Sequence, residues 1–286
     1  MNKLINPILF IMCLFVTACS DDNNGNEPIT PFCLDKTYYE VRLERDAASI
    51  SITNGSGDIS LAIEDENILD AIYVKYDSNR EKEYGQKGHI NLYGLQKGSS
   101  TLTITDNITK DVETVEVKVT DCYLAYMIND SNHPILPAGT TLFLVNNQAQ
   151  DYYLFDQDNI YNKPILKDNS YEFFITQDTD TGTGSEPANK AIPNLRLYMH
   201  NPADDGTTTS EFYDFEIEMY GANASSSYVL QVIAAYLGVD WEELKGNAQT
   251  KSPAPVDMTM IMTVPDTDYR IKGVLSTVSI PEHILE

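Results

Sequence analysis

Apolar and polar residues alternate in a series of short runs over the first third of the chain, and this alternation predicts β-strands. Residues 39–44 and 59–63 are clear examples, because every second side chain is apolar. Val115, Val117 and Val119 close the series in the same way. An alternating strand buries one face and exposes the other. Because turn signals recur about every eight to twelve residues, the pattern predicts a β-sandwich.

From residue 123 onward the pattern predicts a second antiparallel β-domain that contains one helix. Strand-like runs occur at 140–145, 171–175, 195–199, 213–219, 258–264 and 269–280. The exception is 225–237, where three serines offer an N-cap and Gly238 a stop. This helix has almost no polar face, so we expect it to plug one end or face of a β-sandwich. A helix that binds a partner is the alternative.

The first 18 residues are expected to be a targeting segment rather than part of the fold. Lys3 supplies a positive start, and residues 8–18 supply an apolar stretch. That stretch is about half of the roughly 20 residues that a transmembrane helix needs. The segment is therefore predicted to direct export.

The sequence Val16-Thr17-Ala18-Cys19 at the end of this segment resembles the lipobox of bacterial lipoproteins. The resemblance implies cleavage before Cys19, a diacylglycerol thioether on its sulfur and acylation of the new amino group. Several acyl chains anchor a protein stably where a single chain does not. An ordinary secretory signal with a chance cysteine is the alternative.

Residues 19–32 form an acidic polar tether, in which Asp21 and Asp22 follow Ser20. This stretch resembles the short export tag that places some lipoproteins on the outer face of the outer membrane, and a plain solvated tether is the alternative. Cleavage removes Lys3 and no acidic residue, so the net charge of −24 becomes −25 over the mature 268 residues. Such a field repels phosphate backbones and excludes nucleic acid as a partner.

The elements within residues 33–121 resemble the bacterial immunoglobulin-like family of the group 2 type. The matching features are a glycine-rich turn, an acidic-Asn-hydrophobic element, a Gly-x-x-x-Gly turn before a threonine-rich strand, and a last strand of alternating valines, at 54–58, 66–68, 94–106 and 115–119. The resemblance implies an immunoglobulin-like sandwich that serves as a spacer or adhesion module and carries no catalytic residues. The charged stretch 77–87 departs from the family, and we expect a protruding hairpin there.

Two cysteines remain in the mature chain besides the anchor, Cys33 and Cys122. An exported protein can hold a disulfide between them. Seven strands, however, enter a sandwich at one pole and leave at the other, about 20–30 Å away. A disulfide needs Cα atoms within about 7 Å. A Cys33–Cys122 disulfide and two buried free thiols both remain open.

The acidic run 178–186 is the nearest approach to a metal site. Asp178, Asp180 and Glu186 could supply oxygen ligands to Ca²⁺ from a turning chain. The calcium-loop register fails, because Gly182 and Asn189 stand where ligands belong. A solvated loop is the alternative reading.

Nothing in the sequence predicts a catalytic site. There is no Gly-x-Ser-x-Gly, His-Glu-x-x-His or Cys-x-x-Cys motif, and no phosphate-binding glycine loop. The four histidines are dispersed, and we expect surface or loop positions for all of them: His89, His133, His200 and His283. The protein is therefore predicted not to be an enzyme, although a glycosidase-type pair of carboxylates remains an alternative.

The 18 tyrosines are the most suggestive excess, and Tyr152, Tyr153 and Tyr161 are the candidate ligand-binding residues. Tyrosine can stack on sugars and serves protein interfaces, but it is also a good strand former. The overall prediction is a lipid-anchored outer-membrane surface protein whose C-terminal domain binds a glycan or protein. A structural subunit of a surface fibre or envelope complex is the first alternative, and a glycan-active hydrolase is the second.

Overall fold

The computed structural model describes most of the chain after the tether: residues 29–32, 34, 36–44, 48–159, 163–178, 190–202, 208–218, 224–241 and 258–285. The fold is mainly β, with 55% strand and 10% helix. The predicted fold class is therefore confirmed. Among the described residues, no helix is both long and apolar enough to cross a membrane.

The first part of the fold is a pair of packed sheets. Its elements are β1 Tyr38–Arg42, β2 Ala48–Ile52, β3 Ile59–Ile63, β4 Leu69–Lys75, α1 Ser78–Tyr84, β5 Gly88–Gly94, β6 Gly98–Asp106 and β7 Val112–Thr120. One sheet has the order β1-β7-β6-β3 and the other β2-β5-β4. The alternate apolar side chains of both sheets meet in one buried cluster that includes Ile50, Leu92, Ile104 and Val117.

A buried carboxylate holds the turn between β2 and β3 against the end of β6. Asp106 is fully buried, and its two oxygens accept from the backbone N–H and hydroxyl of Ser56, each at 2.6 Å. The backbone N–H groups of Ile108 and Thr109 also donate to Oδ1, at 2.9 and 3.1 Å. Burial alone would raise the pKa of this carboxyl, but these hydrogen bonds lower it to about 2.

The charged stretch 77–87 forms a helix, so the predicted hairpin is wrong. The Asp77 side chain caps α1 by accepting from the N–H groups of Asn79 and Arg80, at 3.0 and 2.9 Å. Gly85 ends the helix in the left-handed conformation, with φ 67°, and its N–H donates to the carbonyl of Glu81. Charged helix formers between two capping residues have no apolar alternation that could form a hairpin.

The second part of the fold is a closed antiparallel barrel with one helix. Its elements are β8 Tyr123–Ser131, β9 Thr140–Val145, β10 Asp151–Asp156, β11 Leu166–Asp178, β12 Lys190–Pro202, β13 Thr208–Ile217, α2 Ala224–Leu237, β14 Thr259–Thr263 and β15 Arg270–Ser276. Each strand pairs with the next in the chain, and β15 returns to β8. The predicted second antiparallel β-domain is thus a barrel, because the eight strands curl until the first meets the last.

Helix α2 is a plug for this barrel. Val229, Ile233 and Leu237 belong to the same buried cluster as the inward side chains of the strands. Trp241 follows the helix, is 4% exposed, and donates from Nε1 to the carbonyl of Leu230 at 3.0 Å. The apolar side chains of α2 are buried in the barrel core and are therefore not available to bind a partner.

The barrel and the two-sheet unit contact each other at several points besides their covalent link, residues 121–122. The Arg42 guanidinium lies over the rings of Tyr123 and Tyr236, at 4.9 and 5.6 Å from their centroids. The segment after β15 packs Ile280 onto the outside of the barrel. It then reaches β1, where the His283 N–H donates to Glu40 at 2.8 Å.

Replacing Asp106 with Asn should destabilise the two-sheet unit by about 2–3 kcal/mol, because an amide cannot accept on both sides. The lowered pKa makes the carboxylate stabilising above about pH 4, and this contribution disappears as the pH falls towards 2. Urea unfolding of wild type and D106N at pH 7 and pH 2.5 measures both effects. An equal difference at the two pH values would contradict the assignment.

Candidate functional site

The strongest candidate for a binding site is the solvent-facing side of strands β11, β12 and β13. Six outward residues form it, here called the platform: Glu172, Phe174, Arg196, Tyr198, Phe212 and Asp214. Strand register places Glu172 opposite Arg196 and Arg196 opposite Asp214, in one row across the sheet. Tyr198 lies opposite Phe212 in the next row.

The alternation of the strands explains why these side chains point outward. Their neighbours Phe173, Leu195, Leu197 and Phe215 pack in or against the barrel core. Successive side chains of a strand point to opposite faces, so the platform residues are directed away from that core. Phe212 consequently keeps 56% of its surface exposed. Core packing therefore does not account for this aromatic ring.

Arg196 organises the platform through ion pairing and stacking. Its Nε and Nη2 donate to the two carboxylate oxygens of Asp214, at 2.6 and 2.8 Å. The guanidinium plane also lies over Phe212 and Phe174, with 4.5 and 5.0 Å to the ring centroids. A bidentate pair fixes the orientation of the guanidinium, and both rings are packed against it.

The hydrogen bonds of the platform are satisfied within it. The Tyr198 hydroxyl donates to Glu172 Oε2 at 2.7 Å. The hydrogen bond to Asp214, followed by the one to Tyr198, raises the pKa of Arg196, which is therefore charged at every physiological pH. Fixed rings beside fixed carboxylates can stack on a flat ligand and accept hydrogen bonds from it, at little entropic cost to the protein.

The three predicted tyrosines do not form one surface. Tyr152 is fully buried in the barrel core. Tyr153 is half-buried and packs on the outside of the barrel, against the cluster that contains Phe143 and Ile280. The two adjacent residues point to opposite sides of β10. Tyr161 lies outside the described residues. The Tyr152 hydroxyl has no hydrogen-bond partner within the part of the chain that is described.

The predicted calcium ligands and most of the predicted cysteine sites fall beyond the described structure. The backbone of Asp178 ends β11, while its side chain, Asp180 and Glu186 are outside the described residues. Across the described ranges, no three His, Cys, Asp or Glu side chains are grouped to hold a metal. Cys122 is buried, and Cys19 and Cys33 are not described. The calcium site, the lipid anchor and the disulfide stay predictions.

His133 is a buried loop residue. It lies in the β8–β9 loop but is only 3% exposed, with the rings of Tyr213, Phe215 and Tyr269 at 5.2–5.3 Å. Its Nδ1 accepts from the Ile135 N–H at 3.3 Å. Burial lowers the pKa of this imidazole. His133 thus has the expected loop position, but it is buried and fills a space among aromatic rings.

Sequence reasoning did not single out the platform. A signal was nevertheless present: Phe174 and Phe212 are apolar residues at positions that the alternation of their strands assigns to solvent. What the sequence does not reveal is that the two rings flank the same guanidinium. Phe174 and Phe212 are diagonal neighbours of Arg196 on two different strands, and only the register of the sheet brings them together.

No family model and no curated protein matches this chain. Among solved structures, it is similar to domains 4 and 5 of the S-layer protein SbsC, at 20% identity over 33% of this chain and 46% of that one, with a TM-score of 0.26. Domains 5–6 of SbsC match at 15% identity over 67% of this chain and 98% of that one, with a TM-score of 0.26.

The adhesin InvE of Yersinia pseudotuberculosis is also similar, at 9% identity over 89% of this chain and all of that one, with a TM-score of 0.21. The chain thus spans less than half of the first of these structures. Scores this low carry no argument about fold or activity. The case for function therefore rests on the platform itself.

Replacing Tyr152 with Phe should leave the stability of the barrel unchanged or raise it by about 1 kcal/mol, because the removed hydroxyl has no partner among the described residues. The matched control is Tyr126, whose hydroxyl donates to the Met260 carbonyl at 2.9 Å. Y126F should cost about 1–2 kcal/mol in urea unfolding. Equal losses in the two variants would mean that Tyr152 has a hydrogen-bonded partner after all.

Proposed function

We propose that this protein is a non-catalytic lipoprotein on the outer surface of the outer membrane, and that its barrel binds an extracellular glycan or protein through the platform. Cys19 is the anchor, residues 19–32 are the tether, and the two-sheet unit is the spacer. The single observation that carries the binding role is the exposed Phe212 ring beside the stacked Arg196–Asp214 pair.

The physical support for a binding role is that the platform is rigid and its ring is accessible before any ligand arrives. Contiguous apolar surface indicates an interaction site more strongly than a single exposed residue does, and Phe212 and Phe174 flank the same guanidinium. Here the Phe212 ring is held by the guanidinium, which Asp214 in turn holds by two hydrogen bonds. A ligand therefore meets a surface whose side chains have little rotamer freedom left to lose.

The spacer role is supported by the contacts between the two units. Lys36 pairs with Glu282 at 3.0 Å, and the Tyr38 ring stacks on His283 with centroids 4.7 Å apart. Together with the Arg42 contacts and the short covalent link, they hold the barrel at a set orientation on the two-sheet unit. A subunit of a surface fibre could pair with its neighbour through an apolar helix or an edge strand, but the apolar side chains of α2 are buried in the barrel.

The anchor is tested by replacing Cys19 with Ala. Without the thioether and the acyl chains, the protein should move from the membrane fraction to the soluble fraction, since nothing else in the proposal attaches it to lipid. Fractionation with an antibody against the barrel measures the change. Protease shaving of intact cells then tests outward display of the wild type. Retention of C19A in the membrane pellet would contradict the lipoprotein assignment.

The platform is tested by replacing Phe212 with Ala in the chain that starts at residue 20. We expect binding to immobilised extracellular glycans and proteins to weaken about tenfold, because a stacked ring is worth about 1–2 kcal/mol. The matched control is Ile72→Ala, which removes a similarly exposed apolar side chain, 49% exposed, from the two-sheet unit. Equal binding by F212A and wild type, or equal losses in F212A and I72A, would overturn the proposed site.

A further inference from the structure

We infer that the ligand of the platform is an uncharged, hydroxyl-rich glycan, rather than a protein or an acidic polysaccharide. This inference rests on the proposed function, because it names the chemistry of the ligand at the same site. Three observations carry it. The platform has a small area, its one described cation, Arg196, is paired with Asp214, and the hydrogen-bonding groups at its edge are carboxylates, which accept hydrogen bonds.

The platform is too small for a stable protein interface. Neighbouring strands lie about 4.8 Å apart and outward residues of one strand about 6.8 Å apart, so each outward position occupies about 33 Å², and three strands and three rows cover about 290 Å². A standard protein interface buries about 800 Å² on each partner. The area matches the flat face of a short oligosaccharide, in which the C–H groups of a sugar ring lie on an aromatic ring.

The positive charge of Arg196 is neutralised by the carboxylate of Asp214. Asp214 takes two of its donors at 2.6 and 2.8 Å, in the planar arrangement that a carboxylate or sulfate of a ligand would also seek. Phe212 and Phe174 pack against the guanidinium at 4.5 and 5.0 Å. The Asp214 carboxylate already neutralises the guanidinium, and an acidic sugar that approached the remaining N–H donors of Arg196 would place its charge next to that carboxylate.

The remaining charged groups around the platform repel anions. Glu172 and Asp214 belong to it, and Glu216 stands opposite Asn194 on the same face. Arg196 is the only cation among the outward side chains described at the register positions of the platform. With a whole-chain charge of −24, the local and overall fields have the same sign.

The carboxylates at the edge of the platform can still accept hydrogen bonds from a ligand that donates them. Each carboxylate oxygen has two lone pairs, so Glu172 and Asp214 can accept again while they hold Tyr198 and Arg196. Sugar hydroxyls are such donors. An ionised uronate or sulfate group has no proton to donate and would place its charge against these carboxylates.

The experiment compares neutral with anionic polysaccharides as immobilised probes. Laminarin, xyloglucan and dextran are the neutral probes, and polygalacturonate and heparin are the anionic ones. The chain from residue 20 is used as wild type, F212A, D214N and E172Q. We expect the wild type to bind at least one neutral probe, F212A to bind it about tenfold more weakly, and the wild type to bind no anionic probe.

The two charge variants test the role of Asp214 directly. D214N frees the guanidinium and removes one negative charge, so it should gain at least tenfold in binding to polygalacturonate or heparin. E172Q removes a charge but leaves the Arg196–Asp214 pair, so it should gain less. Anionic probes bound by the wild type, or no gain in D214N, would overturn the inference.

The same experiment separates failure of the inference from failure of the proposed function. Binding that depends on Phe212 but occurs only to proteins would overturn the glycan and leave the platform as a binding site. Binding that depends on Phe212 but occurs only with anionic probes would overturn the inference of an uncharged ligand and leave the platform as a binding site. If no glycan or protein is bound in a Phe212-dependent manner, both the inference and the proposed function are overturned.

Discussion

Closure of the eight-stranded antiparallel sheet is the constraint on which the rest of the second unit depends. When β15 pairs with β8, every strand has two neighbours, and each side chain lies either inside or outside the wall. The inside is filled by apolar residues and by α2. The outside must carry whatever the protein presents to solvent, and the platform lies there because its residues alternate with the core residues of β11–β13.

The core of the barrel contains buried tyrosines whose hydroxyls donate hydrogen bonds to backbone carbonyls. Burial raises the pKa of both Tyr126 and Tyr171, and their hydroxyls donate to the carbonyls of Met260 and Val145. The Tyr126 ring also covers Gly273, where a Cβ would stand 2.7 Å from the ring. Much of the tyrosine excess is therefore structural. A stacked arginine and two phenylalanines, rather than a row of tyrosines, make the candidate binding surface.

The joint between the two units matters for function because a spacer is useful only if it sets orientation. The covalent link is residues 121–122, and its cysteine is buried. The segment after β15 contributes Ile280 to the outside of the barrel and Glu282 to the ion pair with Lys36. The chain thus returns to the unit where it began, which makes relative motion of the two units costlier than a flexible linker would.

The sequence by itself determined the local features: the alternating strands, such as 115–119, and the apolar helix that the structure places at Ala224–Leu237. These follow from spacing along the chain, because the periods of two and 3.6 residues are local properties. Tertiary structure alone decided that eight strands close into a barrel, that Tyr152 and His133 are buried, and that Phe174 and Phe212 flank Arg196. Those outcomes depend on strand register and closure between residues far apart in sequence, which no local period encodes.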